Sequence, residues 1–109
     1  MTFQEYQIRA RETAMYPDAG SNFVYPTLGL ANEAGEVAGK VKKIFRDDNG
    51  HVTPERLEDI KGELGDVLWY TAQVASEFKL SLEDIASANL TKLASRKQRG
   101  VLQGSGDNR

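Results

Sequence analysis

Apolar residues along this chain recur at three- and four-residue spacings in four stretches, and nowhere do they keep the two-residue alternation of a half-buried strand. The stretches cover about 2–15, 28–46, 55–78 and 82–99. Turn-forming residues separate them: Pro17, Asp18, Gly20, Ser21 and Asn22, then RDDNGHVTP at 46–54, then KLSLED at 79–84. Start signals agree with these boundaries. Thr27 stands before the second helix and Thr53 with Pro54 before the third, while Ser81 with Asp84 makes a near capping box for the fourth. The pattern predicts one all-α domain over 1–109, a four-helix bundle-like protomer with a polar tail, GVLQGSGDNR, from residue 100. In the third helix Leu57, Ile60, Leu64, Val67 and Leu68 fall on one side, but Trp69 lies outside that stripe. An exposed indole is costly, so Trp69 is expected to meet a partner subunit or a ligand.

Two of these helices carry the same polar device. NEAGE at 32–36 and GELGD at 62–66 both read acid, any residue, Gly, acid, although glycine costs a helix roughly 1 kcal/mol against alanine. At 100° per residue Glu33 and Glu36 lie about 80° and about 140° from the centre of the apolar stripe formed by Ala34, Val37, Val41, Ile44 and Phe45. Glu63 and Asp66 lie about 75° and about 135° from theirs, in the same rotational sense. Antiparallel packing of the two helices lets both pairs turn toward one seam, though the same angles allow both to turn away. Within a pair the Cβ atoms stand roughly 5–6 Å apart. Four converging carboxylates repel one another unless a hard divalent cation lies between them, and magnesium suits such oxygen donors together with substrate phosphates. The glycines would then leave room for a neighbouring helix, a hydrated ion or a ligand. The plain alternative is a solvated acidic face, with Glu36 and Lys40 forming an ordinary i, i+4 pair. A di-iron centre of the Glu-x-x-His kind is disfavoured, because the one histidine, His51, falls in a predicted loop.

The fourth helix adds Asn89, Lys92 and Arg96 along one edge, continuing from Ile85. An amide can read a base or sugar edge and the cations can hold phosphate oxygens; a basic solvent-facing edge is the alternative.

Composition narrows the rest. A chain of 109 residues without cysteine holds a single core and no thiolate metal site. Its formal net charge of −2 argues against nucleic-acid binding. No apolar run reaches a membrane span and MTFQEYQIRARE does not read as a signal peptide, so the expected address is the cytoplasm and no membrane partner is expected. The charge is uneven: beyond residue 91 stand Lys92, Arg96, Lys97, Arg99 and Arg109 against the single acid Asp107. Acidic and basic groups would face one site if the fold brings them together.

In this order LGLANEAGEVAGKVKK, LEDIKGELGDVLWYTAQVA and LSLEDIASANLTKLASRKQRG resemble the MazG-like nucleotide pyrophosphohydrolases of the all-α NTP pyrophosphatase superfamily, over about residues 23–100. The resemblance implies a homodimer or homotetramer that uses magnesium, with manganese an expected substitute, to cleave nucleoside triphosphates to the monophosphate and pyrophosphate. It makes Glu33, Glu36, Glu63 and Asp66 the catalytic metal ligands and Tyr70, Asn89 and Lys92 nucleotide contacts, with Lys40, Lys43 and Arg96 as phosphate contacts. One departure is Asn32, where the family often has a further acid; a role for an acid at that place is absent here. The tail GSGDNR resembles the ending of MazG-like proteins from phages and cyanobacteria, which implies a bacterial or phage-infected host cytoplasm. Its Gly-Ser-Gly opening reads as flexible, yet Asp107 could accept from a guanine edge and Arg109 could meet phosphate, which favours dGTP as substrate. The rival expectations are a dUTPase- or dCTPase-like relative of the same superfamily and a non-catalytic nucleotide-binding helical oligomer.

Overall fold

A computed structural model describes all residues, 1–109, and is all-helical. Its elements are α1 (Phe3–Arg11), α2 (Val24–Asp47), α3 (Pro54–Glu77) and α4 (Leu82–Gln98). Two of the anticipated caps are in place. Thr53 accepts from the backbone N–H of Arg56 with Pro54 at the start of α3, and Ser81 accepts from that of Asp84 at the start of α4. The expected start of α2 needs correction, since the helix begins at Val24 and Thr27 lies inside it. The Thr27 hydroxyl turns back to the carbonyl of Phe23, while the Asn22 side chain accepts from the N–H of Tyr25 and takes the capping role. The first helix also stops earlier than its apolar pattern suggests, at Arg11, and Pro17 belongs to the loop that follows.

α2 and α3 form an antiparallel hairpin, the main packing unit of the protein. α1 lies against α3, and α4 rests on α1. Gln7 fastens this corner: its amide donates to the Leu80 carbonyl at 2.9 Å and to Ser76 at 3.1 Å, and its carbonyl accepts from the N–H of Leu82 at 2.8 Å. A second clamp holds the α1–α2 loop to the end of α3 through Glu77, which accepts from the backbone N–H groups of Gly20 and Asn22 and from Arg11. Phe23 stacks on Phe78 beside it, with ring centroids 5.2 Å apart.

Only nine of the 109 residues are buried, so these helices do not enclose a full core by themselves. Phe45 is 74% exposed and Leu90 69%, and Leu57 and Leu64 of the α3 stripe also reach solvent. Trp69 is a different case. It was expected to need a partner subunit or ligand, but its indole N–H donates to Thr13 at 2.8 Å and its ring meets Tyr16 and Tyr70 edge to face. The α1–α2 loop of the same chain half-buries it. No helix is long and apolar enough to cross a membrane.

Candidate metal and nucleotide site

The antiparallel register sets Gly29 against Tyr70, and further along the same pair it sets Glu33 against Glu63 and Asp66. Carboxylate oxygens of these three acids lie within 4.8 Å of one another. The acids therefore do turn toward one seam. Glu36 sits one turn beyond Glu33, exposed and outside this close group. The crowding has an electrostatic signature: the Glu33 carboxyl is held above the usual glutamate range by burial first, then by the charge of Asp66, by Glu63 and by Glu36. Three carboxylates this close form a set of hard oxygen donors whose like charges a divalent cation would neutralise, so the residues present fit such an ion.

Tyrosines gather around the acids. The Tyr70 hydroxyl is raised by burial, by Tyr25, and by the charges of Glu33 and Asp66. Tyr6, from α1, is raised by burial and then by Asp66. Tyr25 in turn stacks on Tyr16 at 5.1 Å, so an aromatic series runs from α2 through the loop to Trp69 and Tyr70. Tyr6, Arg9, Glu12, Thr13 and Trp69 line an open groove between α1 and α3. Tyr6 and Tyr25 were missed by the sequence reading, because nothing in local spacing tells which residues of α1 and early α2 face the α3 acids.

One glycine is fixed by this packing, and it is neither of those in the acid motifs. A Cβ at Gly29 would stand 2.1 Å from the Tyr70 ring, whereas nothing comes within 4 Å of one built at Gly35 or Gly65. The motif glycines thus leave room on a side that no other helix of this chain occupies. Gly29→Ala is expected to displace the Tyr70 ring and to cost about 1–3 kcal/mol through overpacking. Thermal denaturation checks the cost, and an unshifted melting temperature would mean the ring swings aside freely.

The remaining nucleotide-contact residues lie elsewhere in the protomer. Lys40 and Lys43 are half-buried on the loop-side half of α2, and Asn89 is exposed on α4. No hydrogen bond or ion pair joins Asn89, Lys92 or Arg96 to the acidic group. The Lys92 ammonium is 3.0 Å from the Asp107 carboxylate, and Arg96, only 5% exposed, meets the same oxygen at 3.1 Å. Arg109 donates to the carbonyls of Val101, Leu102 and Gly106, so the tail is a folded hook on the end of α4. His51 is exposed in the α2–α3 loop, as its position implied.

Residues 26–101 match the model of the MazG nucleotide pyrophosphohydrolase domain. The chain belongs to this family. All three close acids, Tyr70 and the basic edge of α4 lie inside the matched MazG segment, whereas α1 with Tyr6 lies before it. Over 109 aligned residues the chain is 53% identical to the Gene 37 protein of Mycobacterium phage L5, across 95% of this chain and 96% of that one. That likeness fits a phage-type MazG protein. No solved structure gives a match. Membership of the MazG family carries the general activity, nucleotide pyrophosphohydrolysis, and with it a nucleotide as substrate.

Proposed function

We propose that this protein is a magnesium-dependent nucleoside triphosphate pyrophosphohydrolase that prefers dGTP. The observation that carries the reading is the convergence of Glu33, Glu63 and Asp66 on one seam of a MazG domain. These three acids would hold the ion, and Glu36 on the adjoining turn of α2 would complete the set. When bound, magnesium supplies neutralising charge to the triphosphate and acidifies an attacking water; manganese would serve similarly. One of the two α2 acids accepts the water's proton as its oxygen attacks the α-phosphorus, and the bond to the bridging oxygen breaks to release pyrophosphate. Lys92 and Arg96, with Lys40 and Lys43, oppose the charge that grows on the leaving group. Tyr70, already against the acids, and Asn89 contact the nucleoside. Arg109 positions the tail.

The same reading takes the protein as a homodimer or homotetramer. Support comes from the apolar stripes of α2 and α3 and from Leu90 of α4, which a second copy would cover and which otherwise lie open to water. Such an assembly would also bring a basic α4 to an acidic seam that its own protomer does not offer it.

The guanine preference rests on Asp107, whose carboxylate can accept from the N–H groups of a guanine edge. Rates of pyrophosphate release from dGTP, dATP, dCTP and dUTP test it. dGTP is expected to be fastest, and a protein fastest on dUTP or dCTP belongs instead with dUTPase- or dCTPase-like relatives. Failure to release pyrophosphate from any of the four, with magnesium or manganese, would leave a nucleotide-binding helical oligomer without catalysis.

A further inference from the structure

The tail hook has two kinds of fastening that differ in what they hold. Its frame is internal: Arg109 bonds the carbonyls of Val101, Leu102 and Gly106, and Arg99 donates to the carbonyl of Arg109 at 2.8 Å. Gly104 and Gly106 make the reversal possible with φ of 142° and 87°, values closed to most side chains. The Asp107 side chain takes no part in that frame. It points outward, 79% exposed, and its carboxylate bonds only Lys92 and Arg96. Arg96 also donates to the Asp107 backbone carbonyl, and its side chain is only 6% exposed.

Carboxylate and phosphate oxygens satisfy such donors in the same way, as charge-assisted acceptors, and so compete for them. Resting on the reading of Lys92 and Arg96 as phosphate contacts, we propose that Asp107 is an internal competitor for the substrate's phosphates: it occupies the two cations in the empty enzyme and is displaced by the polyphosphate chain. The competition is uneven in the right direction. A single exposed carboxylate faces a ligand with several negative charges, so it lowers affinity without closing the site. Displacement also frees the Asp107 carboxylate at the moment a nucleotide arrives, which links occupancy of the phosphate contacts to the base-reading role assigned above. A carboxylate neutralised by two cations is a poor acceptor for a guanine edge, and a released one is a good one.

Pyrophosphate in the presence of EDTA isolates these contacts from any divalent ion, and its binding to the full chain can be followed by calorimetry and by the amide NMR signals of Gly106, Asp107 and Asn108. Asp107→Asn, which removes the competing charge and keeps the hook's frame, is expected to bind pyrophosphate about fivefold more tightly than the wild type. In the wild type, pyrophosphate should move the three tail signals. Equal or weaker binding by the variant, or tighter binding with the wild-type tail signals unmoved, overturns the competitor role while leaving Lys92 and Arg96 as phosphate contacts. Binding by neither protein, or binding unaffected by Lys92→Gln, removes the phosphate contacts themselves and the competitor with them.

Discussion

Replacing Asp66 with asparagine is expected to abolish magnesium-dependent pyrophosphate release, by roughly 10³-fold or more, without lowering the melting temperature of the metal-free protein. Asp66 is exposed on α3 and makes no hydrogen bond or ion pair within the chain, so its charge does not hold the fold together. Its influence runs the other way. After burial, it is the strongest influence raising the Glu33 carboxyl, and an amide in its place relieves that repulsion. What the amide cannot do is give an anionic oxygen to a divalent ion, and one of three close donors is thereby lost. Circular dichroism should show the helical content unchanged. Glu36→Gln is the companion variant, because Glu36 lies outside the close group yet is assigned to the same ion. Wild-type turnover with an unchanged magnesium requirement in Asp66→Asn would remove the acidic seam as the reaction site, and the same result for Glu36→Gln alone would reduce the ligand set to three.

Local chemistry made the helices legible and left their contacts hidden. Thr53, Pro54 and Ser81 act within three residues of themselves: Thr53 and Ser81 cap the helices their spacing implied, and Pro54 opens α3. Thr27 has the same side chain but misleads, because Asn22 captures the Tyr25 N–H and lets the helix start earlier, with Thr27 then bonding backward. Angular arithmetic treated the two acid motifs as equivalent and allowed them to face one seam or to turn away from it; the structure gathers Glu33, Glu63 and Asp66 on one seam. It could not supply the register. Antiparallel pairing brings Glu33 close to both α3 acids and leaves Glu36 outside that group. Trp69 looked unpartnered because its partners, Thr13 and Tyr16, lie in a loop more than fifty residues away that has no periodicity to read. Gly29 was likewise invisible, since its need for a hydrogen in place of a side chain arises only from the Tyr70 ring on another helix.

That loop is held by a buried charge, and removing it should produce the largest loss of stability. The Glu77 side chain is 1% exposed and accepts from Gly20 N–H at 2.8 and 2.9 Å, from Asn22 N–H at 2.9 Å and from Arg11 at 3.1 Å. Arg11 spends its other amine on the Tyr16 hydroxyl at 2.7 Å and the Gln73 carbonyl at 2.9 Å. Glu77→Gln keeps the volume but turns one acceptor into a donor facing donors, and it leaves the guanidinium without its counter-charge. The expected cost is about 3 kcal/mol, read as a melting temperature lower by about 12 °C or more. Its pH dependence has a definite sign. Burial opposes the Glu77 charge, but the backbone N–H groups of Asn22 and Gly20, and then Arg11, outweigh it and hold the carboxyl below its ordinary value. A depressed folded value means the stabilisation is complete above the ordinary glutamate pKa and is lost as pH falls through the folded one. The gap between wild type and Glu77→Gln should therefore be widest near neutrality and shrink on acidification below the ordinary value. A gap that stays constant across that range would place the stabilisation in packing and not in charge. Turnover per folded molecule should suffer less than stability, since the clamp reaches Tyr70 only through Tyr16, Tyr25 and Trp69 and touches none of the acids.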